Sequence, residues 1–171
     1  MKLIVFSGLP GTGKSTLAEA VGRRLSIPVF ARDWLEATLR RNELTILDQN
    51  KSLGYAAYEL MTTLAERQLM LDQSAILDSV AATRSIRDAW KELSVRYQAK
   101  WQVIECVCSE EALHRSRLAK RERKIPGWYE LEWSDIQKVQ AYYLPWDEGR
   151  LVLDMVNPLE LNLAKALAYC E

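Results

Sequence analysis

The most specific chemical signal in the sequence is a glycine-rich stretch near its start, GLPGTGKST at residues 8–16. A glycine, four free positions and then Gly-Lys-Ser form the pattern of a loop that holds nucleotide phosphates. Glycines let the backbone turn tightly around an anion, Lys14 can reach the β- and γ-phosphates, and the Ser15 hydroxyl can bind Mg²⁺. The residues predicted to bind the nucleotide are Gly8, Gly11, Thr12, Gly13, Lys14, Ser15 and Thr16.

The fate of the phosphate depends on residues outside this loop. A GTP-dependent switch carries Asn-Lys-x-Asp and Asp-x-x-Gly, but NKSL at 50–53 matches only the first two letters and the chain has no Asp-x-x-Gly. A motor-type ATPase places a glutamate after the aspartate that ends an apolar strand, to polarise the attacking water. Here Asp78 is followed by Ser79. Both patterns that activate water are missing, which argues against hydrolysis as the main purpose.

A phosphotransferase instead needs a carboxylate for the acceptor hydroxyl and cations for the moving phosphoryl group. Asp33 follows the second apolar strand, at the sheet edge where ligands bind, although it could equally cap the next helix. Arg117 and Arg121 are four apart and would share one helix face, either closing over the phosphates or forming a solvated basic face. Asp78 and Arg84 are further candidates for contact with substrate or phosphate.

The remaining chemically suggestive residues have less certain roles. His114, the single histidine, lies among arginines without a carboxylate pattern, so we predict a surface position. An aromatic cluster in the last third of the chain could stack on a base or a sugar, or pack a lid against a helix. Its members are Trp128, Tyr129, Trp133, Tyr142, Tyr143 and Trp146.

Short apolar runs alternate with longer helical patterns, as in an α/β domain with a mainly parallel sheet. We predict strands at 3–6, 28–31, 75–78, 101–107 and 150–154. We predict helices at 14–25, 34–41, 53–71, 85–97, 109–121, 134–143 and 158–169. The phosphate loop therefore joins the first strand to the first helix, and residues 1–171 form one predicted domain.

Composition restricts the partners. The chain has 23 basic and 23 acidic residues, and this neutral balance argues against extensive binding along nucleic acid. No segment approaches about 18 uninterrupted apolar residues, and the apolar run at the start is too short for a secretory signal. The three cysteines match neither a disulfide framework nor a zinc site, so we expect reduced thiols and a cytoplasmic protein. The oligomeric state is left open.

With these residues placed, the chain resembles the small P-loop kinases that group with polynucleotide 5′-hydroxyl kinases, zeta-toxin and chloramphenicol phosphotransferase types, and gluconate kinases. The resemblance rests on GLPGTGKST, Arg32-Asp33, the strand ending in Asp78 with Arg84 after it, and RLAKR at 117–121. It implies a five-stranded sheet in the order 2-3-1-4-5 with helices on both faces, and a lid at about 114–133. It also implies that Asp33 activates the acceptor hydroxyl and that Arg117 or Arg121 contacts the donor phosphates.

The leading hypothesis is a kinase that uses ATP and Mg²⁺ to phosphorylate a hydroxyl of a small molecule or of a nucleotide or nucleic-acid end. A nucleotide-binding regulatory protein and a slow ATPase are the alternatives. We expect segments 34–71 and 125–146 to determine the acceptor, whose identity the sequence leaves open.

Overall fold

The computed structural model describes residues 1–44, 52–147 and 149–171. Residues 45–51, which belong to the predicted acceptor segment and include part of NKSL, lie outside the described residues. Five parallel strands form one sheet in the order β2-β3-β1-β4-β5, which confirms the fold class and the strand order. The strands are β1 (Lys2–Ser7), β2 (Val29–Ala31), β3 (Ala75–Asp78), β4 (Lys100–Val107) and β5 (Leu151–Asp154).

Within the described ranges, six helices lie between these strands along the chain and a seventh follows β5. They are α1 (Lys14–Leu25), α2 (Arg32–Arg41), α3 (Leu53–Leu69), α4 (Arg84–Arg96), α5 (Glu111–Ala119), α6 (Trp133–Tyr142) and α7 (Leu159–Cys170). Each corresponds to a predicted helix, with ends that shift by a few residues. None of the helices in the described part of the chain is long and apolar enough to span a membrane.

Two of these shifted ends concern predicted site residues. Helix α2 begins at Arg32 and its cap position is Ala31, so the alternative in which Asp33 caps the helix is wrong. Asp33 lies in the first turn, where a negative charge interacts favourably with the unpaired amides. Helix α5 ends at Ala119, so Arg121 lies beyond it and does not share a helix face with Arg117 as predicted.

The core lies on both faces of the sheet, because alternate residues of a strand point to opposite sides. On one face Leu3, Val5 and Leu77 pack with residues of α3 and α4, including the buried Trp90. On the other face Ile4, Phe6, Ile76 and Ile104 pack with residues of α1 and α7. Helices on both faces leave the carboxyl ends of the strands as the open edge for a ligand.

A buried polar network attaches the end of α6 to this edge. The Tyr143 hydroxyl lies 2.9 Å from Ser7 Oγ and donates to Glu105 Oε1 at 2.8 Å. Trp146 Nε1 donates to Ser7 Oγ at 3.1 Å, and Arg150 Nε donates to Glu105 Oε2 at 2.5 Å. Burial raises the pKa of Tyr143 to about 12, so its hydroxyl keeps its proton. Helix α6 is thus fixed to the strand that enters the phosphate loop.

Candidate active site

The phosphate loop requires glycine for two separate reasons. Gly8, Gly11 and Gly13 have φ angles of 137°, 85° and 105°, which favour residues without a side chain. At Gly8 there is also no room, because a Cβ atom would lie 2.2 Å from the carbonyl oxygen of Cys106 on β4. The loop therefore packs directly on the neighbouring strand, and its amides lead into the start of α1, where partial positive charge favours an anion.

The loop lysine already has a partner on the next strand. Lys14 Nζ lies 2.5 Å from Asp78 Oδ1, and both side chains are buried. Strands β1 and β3 are parallel neighbours, so the residue that ends β3 comes beside the loop that follows β1. Asp78 therefore neutralises the lysine in this structure, and phosphate oxygens could take its place.

His114 lies beneath the loop, so the predicted surface position is wrong. It is 4% exposed, and its Nε2 lies 2.8 Å from the carbonyl oxygen of Pro10. A carbonyl only accepts, so Nε2 carries the proton and donates. The Trp133 ring packs edge to face on the imidazole, with ring centres 5.1 Å apart. The buried pair of His114 and Leu118, four apart on α5, is the helical signal that could have revealed this.

Three guanidinium groups surround the predicted acceptor carboxylate. Arg123 Nη1 donates to Asp33 Oδ2 at 2.5 Å, and nitrogens of Arg32 and Arg121 lie 3.7 and 3.9 Å from its oxygens. Burial lowers the pKa of Arg121 to about 10, and the charge of Arg123 adds to this effect while Asp33 opposes it. Arg123 was not predicted as a site residue, because it lies in an irregular segment after α5 where helical spacing gives no guidance.

The other predicted arginines lie in different surroundings. Arg117 Nη1 donates to the carbonyl oxygen of Met155 at 2.7 Å, just after β5. Arg84 is largely exposed and pairs with Asp147 at 2.6 Å, and it does not line the cleft. The next arginine on α4, Arg87, is buried and donates to the Ala81 carbonyl oxygen. The structure therefore does not bring Arg84 to the phosphate loop.

A cleft of about 990 Å³ contains the phosphate loop, Asp33, Arg117, Arg121 and Arg123. Because β1 is the middle strand, the cleft extends to both sides of the loop. On one side it follows β2 and β3, and we call this the β2 arm: Arg32, Asp33, Trp34, Tyr58, Val80, Ala82 and Thr83. On the other side it follows β5, and we call this the β5 arm: Arg117, Met155, Asn157 and Leu159.

Two further segments border the cleft. Trp128 and Tyr129 belong beside the β2 arm, because Arg40 of α2 lies over the Tyr129 ring at 5.0 Å. Gly127 fits closely there as well, since a Cβ atom would lie 2.9 Å from Arg41 Cβ. Helix α6 contributes four residues at helical spacing, Asp135, Lys138, Val139 and Tyr142.

The six members of the aromatic cluster lie in different surroundings. Trp128, Tyr129 and Tyr142 line the cleft. Trp133 packs on His114, and the other two members, Tyr143 and Trp146, belong to the buried network around Ser7. Trp34, which was not in the predicted cluster, also lines the cleft.

The residues present are compatible with a magnesium ion that arrives with nucleotide. Within the described ranges no three His, Cys, Asp or Glu side chains are grouped so that they could hold a metal on their own. Mg²⁺ in nucleotide sites typically uses one or two protein groups together with phosphates and water. Ser15, at the start of α1, lines the cleft beside the loop and offers such a ligand.

Comparisons of the fold reveal many proteins of the same architecture. A putative kinase from Chloroflexus aurantiacus J-10-fl superposes with a TM-score of 0.74 at 22% identity, covering 99% of this chain and 98% of that one. A gluconokinase from Sinorhizobium meliloti 1021 gives 0.71 at 19%, covering 98% and 90%. An unliganded sugar kinase from Janibacter sp. HTCC2649 gives 0.70 at 19%, covering 99% and 94%. The TM-scores and the coverage establish a shared fold.

Among curated protein sequences none matches this chain. The family model described as AAA domain matches residues 3–142, a range that includes the phosphate loop, Asp33, Asp78 and the three cleft arginines after His114. The chain therefore belongs to the AAA domain family of P-loop proteins.

Proposed function

We propose that the protein is a kinase that uses ATP and Mg²⁺ to phosphorylate a hydroxyl group of an acceptor bound in the β2 arm. The observation that carries this proposal is the position of Asp33, which lines the same cleft as Lys14 and has three guanidinium groups around it. A carboxylate for the acceptor and cations for the transferred group are the two requirements of phosphoryl transfer.

The two arms give the substrates separate places. In this proposal the triphosphate of ATP lies in the phosphate loop. The adenine base of ATP extends into the β5 arm, which Arg117 and Asn157 line. Lys14 exchanges Asp78 for phosphate oxygens, which keeps its buried charge paired. Ser15, at the start of α1, would hold Mg²⁺ together with the phosphates, and the bound ion would supply positive charge that offsets theirs.

The transfer step uses groups of the β2 arm. The acceptor oxygen forms a bond to the γ-phosphorus while the bond from that phosphorus to the β–γ bridging oxygen breaks, so ADP leaves. The acceptor proton passes to Asp33, which first accepts a hydrogen bond from the hydroxyl. Arg121 and Arg123 stabilise the charge on the transferred group, and for this Arg123 gives up its contact with Asp33.

We further propose that residues 1–171 act as one kinase domain and that about 114–133 form its lid. This segment contains Arg117, Arg121 and Arg123, and His114 at its start touches the phosphate loop. Closing it over the nucleotide would exclude water from the transferred group. The gluconokinase and sugar kinase folds described above support a small-molecule acceptor, because their architecture covers nearly the whole chain.

The test compares wild type with Asp33→Asn in ATP-dependent phosphorylation of an acceptor panel of nucleosides, sugars and a 5′-hydroxyl oligonucleotide. We expect kcat to fall by about 10²–10⁴ with a change of less than about threefold in the Kd for ATP. Asp88→Asn, the same change on the exposed side of α4, is the control.

Other outcomes would separate the alternatives. Transfer by Asp33→Asn at a rate near that of wild type would remove Asp33 from the mechanism. ATP turnover that no acceptor changes would indicate a slow ATPase. Tight ATP binding without turnover would indicate a regulatory nucleotide-binding protein.

A further inference from the structure

We propose that the acceptor carries a planar aromatic ring, as a nucleoside does, and that it is neutral or anionic. This inference rests on the proposed function, because it names the class of compound that presents a hydroxyl to Asp33. The observations that carry it are the aromatic walls and the charges of the β2 arm.

Large aromatic side chains of the β2 arm and of the segments that border the cleft are partly exposed. Trp34 is 46% exposed, Tyr129 47% and Tyr142 53%, and all three line the cleft. The Trp128 and Tyr129 rings stack with their centres 5.0 Å apart and an angle of 23° between their planes. Exposed aromatic side chains that line a cleft are typical of a site that a ligand covers. A ligand with a planar aromatic ring can stack on such side chains.

The position of Trp34 relates this surface to the chemistry. It follows Asp33 directly in the first turn of α2, and both residues line the cleft. A ring that stacks on Trp34 would therefore lie close to the Asp33 carboxylate, which receives the acceptor proton, because both side chains line the same cleft from adjacent positions of α2. In a nucleoside the hydroxyl groups are on a sugar attached to the base, so stacking of the base leaves a hydroxyl free for Asp33.

A sugar or an open-chain polyol fits this arm less well. Val80 and Ala82 offer no side-chain hydrogen bonds, and Tyr58 and Thr83 offer one hydroxyl each. The guanidinium of Arg32 is already paired with Glu36 and lies 5.2 Å from the centre of the Tyr58 ring. A polyol would lose its hydrogen bonds to water without enough replacements, and each unpaired polar group costs binding free energy. A pyranose could stack on Trp34, but several of its hydroxyls would be left without hydrogen-bond partners.

The charges around Asp33 also restrict which acceptors can bind. Glu36 offsets the charge of Arg32, so the single carboxylate of Asp33 faces two further guanidinium groups, Arg121 and Arg123, both within 4 Å of it. Asp135, which also lines the cleft, is paired with Lys138 at 3.0 Å. Glu122 also lines the cleft, but the two guanidinium groups next to Asp33 repel a cationic group on the acceptor, as in an aminoglycoside, and favour a neutral or anionic acceptor.

The experiment measures transfer from γ-labelled ATP to uridine, cytidine, glucose, gluconate and kanamycin under the same conditions. We expect kcat/KM for the better nucleoside to exceed that for glucose and gluconate by at least about tenfold, with no transfer to kanamycin. Trp34→Ala should raise the nucleoside KM by about fivefold to 150-fold and leave the Kd for ATP unchanged. Trp34→Phe keeps a ring and should retain most of the affinity, and Leu161→Ala is an exposed control on α7.

Preferential phosphorylation of gluconate, glucose or kanamycin would overturn this inference while the proposed kinase function stands. If none of the five compounds is phosphorylated, the inference is tested by measuring nucleoside binding instead. Uridine and cytidine are then titrated into protein saturated with a non-hydrolysable ATP analogue. Binding that Trp34→Ala abolishes would support the aromatic site even if transfer fails, and the absence of binding would overturn it.

Discussion

The imidazole Nε2 of His114 donates a hydrogen bond of 2.8 Å to the carbonyl oxygen of Pro10, in the middle of the phosphate loop. The same helix carries Arg117 one turn later, and that guanidinium reaches the Met155 carbonyl oxygen after β5. Helix α5 thus contacts both the loop and the β5 arm. A shift of this helix would therefore displace both the loop and the β5 arm. His114 is in position to hold the loop in the conformation that binds phosphates.

Replacing His114 with leucine should weaken ATP binding. A single hydrogen bond contributes about 0.5–1.5 kcal/mol net, so we expect the Kd for ATP to rise by a factor of about 2 to 13. Titration calorimetry would measure this, with His114→Gln as the matched variant because its amide can still donate to the carbonyl. Binding of adenosine, which has no phosphates, should be equal in all three proteins. An unchanged Kd for ATP in the leucine variant would show that the hydrogen bond does not position the loop.

The sequence was sufficient to predict those parts of the structure that a local pattern determines. The phosphate loop and the alternation of apolar strands and helices predict the sheet and most element ends, because these depend on neighbouring residues. The strand order came from the family resemblance, since spacing along the chain does not determine which strands pair. Lys14 and Asp78 were each identified, but their contact depends on β1 lying beside β3, which the pattern alone does not specify.

Asp78→Asn should destabilise the protein without nucleotide more than the protein with a bound polyphosphate. Removing one partner of a buried ion pair costs about 3–5 kcal/mol, and for a chain of this size that lowers Tm by roughly 6–20 °C. Tripolyphosphate supplies a new counter-charge to Lys14, so its stabilising effect should be larger in the variant. Thermal unfolding with and without tripolyphosphate, in the absence of Mg²⁺, measures the difference. Equal shifts in the two proteins would contradict an exchange of Asp78 for phosphate.

Arg121 and Arg123 should have opposite effects on stability. Burial lowers the pKa of Arg121 to about 10, so its charge is unfavourable in the folded state and Arg121→Met should stabilise the protein by about 1–2 kcal/mol at neutral pH. Arg123→Met removes the closest partner of Asp33 and should destabilise it by about 1.5–3 kcal/mol. Urea unfolding distinguishes the two. A destabilised Arg121→Met would show that its pairing with Asp33 outweighs the cost of burial.

The pH dependence of the Arg121→Met effect follows from the same shift. The folded-state pKa of about 10 lies below the unfolded value, so at pH values between the two the unfolded chain binds more protons. Wild type therefore gains stability relative to the variant as the pH rises through this window, and the cost of the charge is fully present below it. Unfolding free energies of both proteins at about pH 7 and about pH 10.5 should show the variant's advantage shrinking. A constant difference would place the destabilisation elsewhere.

The arginines on and after α5 show why part of the site could not be predicted. Spacing of four suggested a shared helix face for Arg117 and Arg121, but α5 ends at Ala119 and only the path of the following segment brings Arg121 and Arg123 to Asp33. That path depends on packing against α2, where Gly127 fits closely. Such contacts join distant parts of the chain and leave no periodic trace in the sequence.

Arg87 should be essential for stability although it lies outside the cleft. Its Nε donates to the Ala81 carbonyl oxygen at 2.7 Å, and its two terminal nitrogens donate to the carbonyl oxygens of Pro145 and Leu144 at 2.8 and 2.6 Å. The guanidinium also lies 4.0 Å from the centre of the Trp146 ring. A planar fork makes all of these contacts at once, and an ammonium group cannot.

We therefore expect Arg87→Lys to cost about 2–4 kcal/mol of unfolding free energy, which lowers Tm by roughly 4–16 °C. Arg84→Lys, the matched change three residues earlier, should shift stability by less than about 0.5 kcal/mol, because Arg84 and its partner Asp147 are both largely exposed. Thermal unfolding of the two variants tests this, and the Kd for ATP should be unchanged in Arg84→Lys because that side chain does not line the cleft. A larger loss in Arg84→Lys than in Arg87→Lys would contradict the prediction, since the buried fork would then not be what holds the segment after α6 to the sheet.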